Sequence, residues 1–409
     1  MDAGEAITQA HREEWARVVA ALTKRFGDLD IAEEAAGEAF ATAAERWPAD
    51  GVPPNPGGWL TTTAYRKAID RIRRENKRDG KHREAQLVFD DDPPESLGAI
   101  DDERLRLIFT CCHPALAMEA RVALTLRIVG GLTVTEIARA FLVQETAMAR
   151  RITRAKLKIK EARIPFQVPS LEDLPGRVSG VLAVLYLIFN EGYLATGPDT
   201  DPIRSDLTAE AIRLTRLIRT LLPENGEVAG LLALMLLTEA RTPARISAVG
   251  ELVRIDEQDR GIWDSGLIAE GHRLVRERLA SGIAPGRYQI LAAINAVHTS
   301  ASDMSDTDWS QVVALYDQLV SLDPSPVAAL NRAIAVAERD GPVVALALVD
   351  RLENNLVGYH AYHATRAELL RRLGRGEEAR AAYDTAIELA GNAAETSYLI
   401  HRREELRSE

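Results

Sequence analysis

LTVTEIARAFLVQETAMARRITRAKLKI, residues 132–159, decides the reading of this chain. Thr133 and Glu136 have the T-x-x-E spacing of a capping box, in which two side chains satisfy the free backbone N–H groups of a helix start, so a helix is predicted from Val134. Ile137, Ala138 and Phe141 give it an apolar face. The turn falls near 142–144, and a second helix is predicted from Glu145 through Lys160 with Met148, Ile152, Ala155 and Ile159 inward. That leaves Gln144, Glu145, Thr146, Ala147, Arg150, Arg151, Arg154 and Lys158 outward, where a DNA major groove and its flanking phosphates would meet them. Any pair of helices can imitate a helix-turn-helix, so the surrounding chain has to decide.

The charge distribution supports a DNA reading for one part only. Through residue 165 the chain has 26 Lys/Arg and 26 Asp/Glu; beyond it the counts are 24 and 35, so the whole net charge of −11 belongs to the C-terminal part. Within the neutral part, residues 65–83 hold nine Lys/Arg against three acids, and residues 150–163 hold seven against Glu161 alone. Two basic clusters on helical segments are the electrostatic footprint of phosphate contact, although a single such run is commonly a solvated face.

At 409 residues and 46% hydrophobic content the chain is too long for one core and is expected to be multi-domain. Few windows alternate apolar and polar residues, so the expected class is all-α. The N-terminus has no signal-peptide core, and the longest apolar run, 181–189, is far short of spanning length, which points to a soluble cytoplasmic protein with no membrane partner. Residues 48–58, PADGVPPNPGG, read as a loop and Trp59–Arg78 as a long helix; 79–99 read as a tether, 101–162 as a second helical unit, and the part from about Leu174 to the end as a third. Tyr316, Val349 and Tyr383 lie 33 and 34 residues apart in comparable helices. LGRGEEARAAYDTAIEL carries Gly374, Ala379, Tyr383 and Ala386 at tetratricopeptide spacing, with Ala367 in the preceding helix. Such stacked helix pairs are scaffolds with a concave face.

The order of parts resembles the extracytoplasmic-function group of bacterial RNA polymerase sigma factors. DLDIAEEAAGEAFATAAERW looks like the region 2 helix of that family, GGWLTTTAYRKAIDRIRRENKR like its promoter-melting and minus-10 segment, and residues 103–160 like region 4, which reads the minus-35 element. The match covers about residues 10–163. LRLIFTCCHPAL, IPFQVP, LIFNEGY, the tetratricopeptide-like tail and DGPV at 340–343 resemble a subgroup with a large C-terminal helical extension, and the resemblance implies a regulatory role for that extension and for Asp340, Gly341 and Pro342. The implied arrangement is region 2 over 1–78, a linker over 79–99, region 4 over 100–163, a connector over 164–173 and a tetratricopeptide-like domain over 174–409.

On that resemblance, Trp59, Thr62, Thr63, Tyr65, Arg66, Lys67, Arg71, Arg73 and Arg74 supply aromatic, hydroxyl and cationic groups for holding unpaired bases and backbone on one helix. A core tryptophan is the alternative for Trp59, and Asp70 is expected to be an internal salt-bridge partner. Asp30, Glu33, Glu34 and Glu38 form an acidic surface suited to a basic coiled coil of core RNA polymerase. The chain departs from the family where Arg66 replaces Asn, Leu142 stands in the glycine place of the turn, and Ala147 replaces Thr.

The expected partners are core RNA polymerase and promoter DNA, an intramolecular contact between the C-terminal domain and the sigma domains, and an unidentified protein at the repeat groove. No cofactor or metal is expected. Cys111, Cys112 and His113 lack the further ligands of a zinc site. Adjacent cysteines make no ordinary staple, though one exposed thiol would suit a redox sensor. No catalytic motif is found, so an enzyme, resting on the polar residues near 190 and 360, is the weakest reading. The stronger competitor is a polymerase-independent helix-turn-helix regulator with a tetratricopeptide-like sensor or scaffold.

Overall fold

The computed structural model describes residues 3–78, 103–141, 143–194, 203–247 and 251–406; the expected tether over 79–99 and Leu142 lie outside them. The regular structure of the described residues is helical, with no β-strand beyond one bridge between Ile246 and Leu252. The chain divides into two compact units, residues 1–188 and 189–409.

The first unit opens with α1 (Ala3–Phe26), α2 (Leu29–Asp50) and α3 (Pro56–Arg78), each packed on the other two. Gly27 ends α1 at φ +67°, and the Asp28 carboxylate accepts from the N–H groups of Asp30 and Ile31 to start α2. Ala32, Ala35, Ala36, Ala39 and Ala43 form a buried small-residue stripe on α2, and Leu60, Ala64 and Ala68 bury the inner face of α3. The predicted loop at 48–58 is shorter than its prolines suggest. Pro48 sits inside α2, which ends at Gly51 (φ +83°), and α3 already begins at Pro56. Pro56 fits the first helical turn because its missing N–H would have no partner there, and Asn55 caps that turn through Gly58 at 2.9 Å.

The same unit continues with α4 (Glu103–Cys111), α5 (Met118–Leu124), which runs into a π turn at Thr125–Val129, α6 (Val134–Ala140) and α7 (Glu145–Glu161). The capping box is formed: the Glu136 N–H donates to Thr133 Oγ1 at 3.1 Å, and the Thr133 N–H to Glu136 Oε2 at 2.7 Å. Met148, Ile152, Ala155 and Ile159 are buried, as their spacing predicts. α8 (Leu174–Tyr193) begins against this module, where Arg177 donates to the Phe109 carbonyl at 2.6 Å, and its last residues belong to the second unit.

In the second unit, α9 (Ser205–Leu221), α11 (Ser265–Ala280) and α12 (Arg287–Ser300) surround α10 (Gly226–Glu239). α10 is buried continuously from Val228 to Thr238, which explains its apolar character on every side. The stack continues through α13 (Trp309–Leu322), α14 (Pro326–Asp340), α15 (Pro342–Asp350), the short α16 (Glu353–Leu356), α17 (His360–Arg372), α18 (Gly376–Leu389) and α19 (Ala393–Glu405). Tyr316, Val349 and Tyr383 fall in α13, α15 and α18, the second helices of the successive pairs α12/α13, α14/α15 and α17/α18. Ala367, Ala379 and Ala386 are fully buried around Tyr383, so small residues do let this pair close up.

Candidate nucleic-acid interface

α7 presents Gln144, Glu145, Thr146, Ala147, Arg150, Arg154 and Lys158 to solvent, with Arg151 half-buried at the edge. The four residues from Gln144 to Ala147 form the leading end, which is the end that meets base edges when such a helix enters a groove. The arginines and lysine follow along the same exposed flank of the helix.

α3 sorts its nine candidates into two groups. Arg66, Arg73 and Arg74 are exposed, with Thr62 and Thr63 half-buried beside them. The others are engaged within the bundle. Trp59 meets the buried Trp47 edge-on at 5.6 Å, and Tyr65 stacks on Phe26 at 5.7 Å with its hydroxyl buried. Lys67 lies 3.7 Å from Glu38, and Arg71 pairs with Glu34. Asp70, expected as a salt-bridge partner, is exposed and makes no ion pair among the described residues; its backbone carbonyl accepts from Arg74 Nε at 3.2 Å.

The acidic face of α2 is occupied rather than open. Glu33 is buried and holds two cations of the second module, Arg127 at 2.5 Å and Lys156 of α7. Lys156 also reaches Asp30 at 2.7 Å, and Lys160 reaches Asp28 at 3.0 Å. The side chains of Lys156 and Glu33 are only 11% and 7% exposed, so this pair is shielded from salt as surface pairs are not. Burial opposes the Lys156 charge, but Glu33 and Asp30 outweigh it and hold the ammonium above its ordinary range. Burial likewise opposes the Asp28 carboxylate, and Lys160 with the Ile31 and Asp30 N–H groups brings it below the usual value.

The clasp is completed by one uncharged contact and one further ion pair. Trp15 of α1 donates to the Ile128 carbonyl at 3.1 Å, and Lys24 meets the buried Glu103 at 2.6 Å. Gly131, at φ +78°, has no room for a side chain: a Cβ there would stand 2.6 Å from His11 and 3.0 Å from Trp15. Lys156, Lys160, Arg127 and Asp28 were not singled out from the sequence. Their partners lie about a hundred positions away, and only the opposite charges of the two segments hinted at the pairing.

Cys111 and Cys112 are both buried, which removes the exposed thiol that a redox sensor would need. Burial pushes both thiols up, Cys112 to about 11 even though Thr125 lies within hydrogen-bond reach at 3.3 Å. Asp340, Gly341 and Pro342 form the turn between α14 and α15: Gly341 takes φ +91°, Pro342 opens α15, and Asp340 pairs with Arg339 on the surface.

Comparison with known proteins follows this division. Residues 12–78 match the family model for sigma-70 region 2, and residues 106–159 match that for sigma-70 region 4. The chain belongs to the sigma-70 family. Residues 177–279 match a family of unknown function, and the three matches in this order are consistent with a sigma factor of the extracytoplasmic-function type that carries a C-terminal extension. An uncharacterized protein of Rhizobium meliloti is 43% identical over 400 residues, covering 96% of this chain and 94% of the relative. A sigma factor is a transcription initiation factor, and its two matched regions imply contact with core RNA polymerase and promoter DNA. No helix among the described residues of this sigma factor is long and apolar enough to cross a membrane.

Proposed function

We propose that this sigma factor reads a minus-10 element with α3 and a minus-35 element with α7, and docks on the polymerase through the acidic face of α2. The observation that carries the reading is the pairing of two basic helices in one chain, one matched to region 2 and the other to region 4, each keeping an exposed row of arginines. On α3 that row is Arg66, Arg73 and Arg74 with Thr62 and Thr63; on α7 it is Arg150, Arg154 and Lys158 behind Gln144–Ala147.

The ion pairs support a coupled first step. Asp30 and Glu33 are neutralised by Lys156 and Arg127, so the polymerase gains this face only as α7 and the π turn leave it. The free factor is therefore closed by its own DNA-reading helix, and docking exchanges an internal set of cations for those of the polymerase.

Regulation by the C-terminal extension is part of the same proposal. It rests on the size of that unit and on the net negative charge it carries. A chain ended at Leu194, after α8, should differ from the full chain in promoter output; equal output would remove the extension from the mechanism. The reading as a whole is tested by mixing the full chain with bacterial core RNA polymerase and resolving the mixture by size. Stoichiometric co-elution is expected. Failure of both the full chain and the shortened one would favour a regulator that binds operators without polymerase.

A further inference from the structure

Two features that the helix-turn-helix reading leaves unused, the polar end of α8 at 190–193 and the aromatic-histidine group at 359–363, meet at one cavity. It lies wholly within residues 189–409, encloses about 340 Å³, and has Tyr193, Arg241, Arg245, Gln258, His360 and Tyr398 in its wall. That volume is within the range of small-molecule sites.

The cations of this cavity are unevenly matched. Arg254 is satisfied by Asp256 at 2.8 and 2.9 Å and by Glu368 at 3.5 Å, and His360 is paired with Glu395 at 3.2 Å. Arg241 and Arg245 have no carboxylate within salt-bridge distance among the described residues. Arg245 is only 5% exposed; it donates to the Tyr193 carbonyl at 2.6 Å and lies over the ring of the same residue, 3.3 Å from its centre. Arg241 donates to the Tyr193 hydroxyl at 3.3 Å, and its Nε is buried without an acceptor. Gln258 Oε1, on the same wall, is buried without a donor. Burial, with Arg241 beside it, pushes Arg245 below the ordinary arginine range, and Glu239, the acid that feels its charge, is itself pushed up by burial.

A buried cation without an ion-pair partner is costly unless something else supplies the anion. Guanidinium groups at the edge of a cavity are forked donors matched to the paired oxygens of a carboxylate or phosphate. Leu252, Val253, Ile255, Ala361, Ala364 and Leu399 supply the apolar part of the wall, and Thr365 and Glu395, the latter already paired with His360, complete it. We propose that this cavity binds a small organic oxyanion, a carboxylate or phosphate monoester on a short apolar or aromatic body, with its oxygens on Arg241 and Arg245. A hydroxyl or N–H on the body would satisfy Gln258.

The test is calorimetric titration of the full chain with phenylacetate, phenyl phosphate and the neutral phenylethanol. At least one of the two anions should bind and phenylethanol should not; which anion binds tighter tells carboxylate from phosphate. Arg241→Gln should weaken binding about tenfold or more, as expected for loss of a charge-assisted hydrogen bond. Arg273→Gln, on the exposed side of α11, should leave it unchanged. Because Arg245 is buried and its replacement risks unfolding, the half-buried Arg241 is the working variant, checked for retained helicity. The proposal is overturned if neither anion binds, if phenylethanol binds as tightly, or if folded Arg241→Gln binds the anions like the parent chain.

Discussion

The contact between α1–α3 and α4–α7 carries a set of ion pairs, whereas the contact between α17 and α18 closes on buried alanines. In the first, Glu33, Asp30, Asp28 and Glu103 face Arg127, Lys156, Lys160 and Lys24. In the second, Ala367, Ala379 and Ala386 close around Tyr383. A packed apolar surface gains free energy in proportion to the area it removes from water and has no equivalent substitute partner. An ion-paired surface repays its desolvation only in good geometry, and any other cationic surface can replace its partner. The first contact is thus suited to exchange and the second to permanence.

The sharpest way to break this contrast is to remove a permanent contact. Tyr383→Ala should destabilise the second unit by about 3–5 kcal/mol, the range for an aromatic deleted from a core, read by urea unfolding. A loss near that of a surface residue would mean that the repeat stack is not held by this packing.

A pH experiment probes the same unit. His298 is held neutral by burial first and then by Arg241 and Arg260, with its pKa pushed down to about 4 from 6.5. An unfolded histidine takes up its proton near the ordinary value while the folded one refuses it, so the unfolded state binds more protons and stability falls as pH drops. The contribution is complete above pH 6.5 and lost progressively down to about pH 4, on the order of 3 kcal/mol. His298→Asn should flatten that part of the stability profile.

Lys156→Glu sets a third carboxylate against Asp30 and Glu33 and should open the clasp. Spin labels on α2 and α7 should move apart, and affinity for core polymerase should rise by a coupling on the order of 1–3 kcal/mol. If the labels separate and the affinity stays the same, the acidic face is not the docking face. The smallest effect is expected at α7 itself: Arg154→Ala should lower promoter affinity at every sequence alike and reduce the salt slope of binding by about one.

Local features of the chain were the legible ones. The Thr133–Glu136 box, the inward set of α7 and the small residues around Tyr383 are set by spacings within one or two helical turns. The prolines near residue 50 are ambiguous in sequence because their effect depends on position: Pro56 opens a helix as readily as it breaks one, and Pro48 lies two residues before the last position of α2. Trp59 and Tyr65 of α3 have the chemistry of base-holding groups, yet they pack onto Trp47 and Phe26, partners that lie outside the motif. Lys156 with Glu33, 123 positions apart, and Tyr193 with Arg245 and His360 come together only through the tertiary fold, and no single segment encodes either group.

The buried cysteine pair gives the molecule a clock. With both thiols shut away at the end of α4 and held protonated, a thiol reagent at neutral pH waits for that module to breathe before it can react. The labelling rate of the unmodified chain therefore counts opening events, and a single cysteine added on the surface would take up dye long before the native pair does.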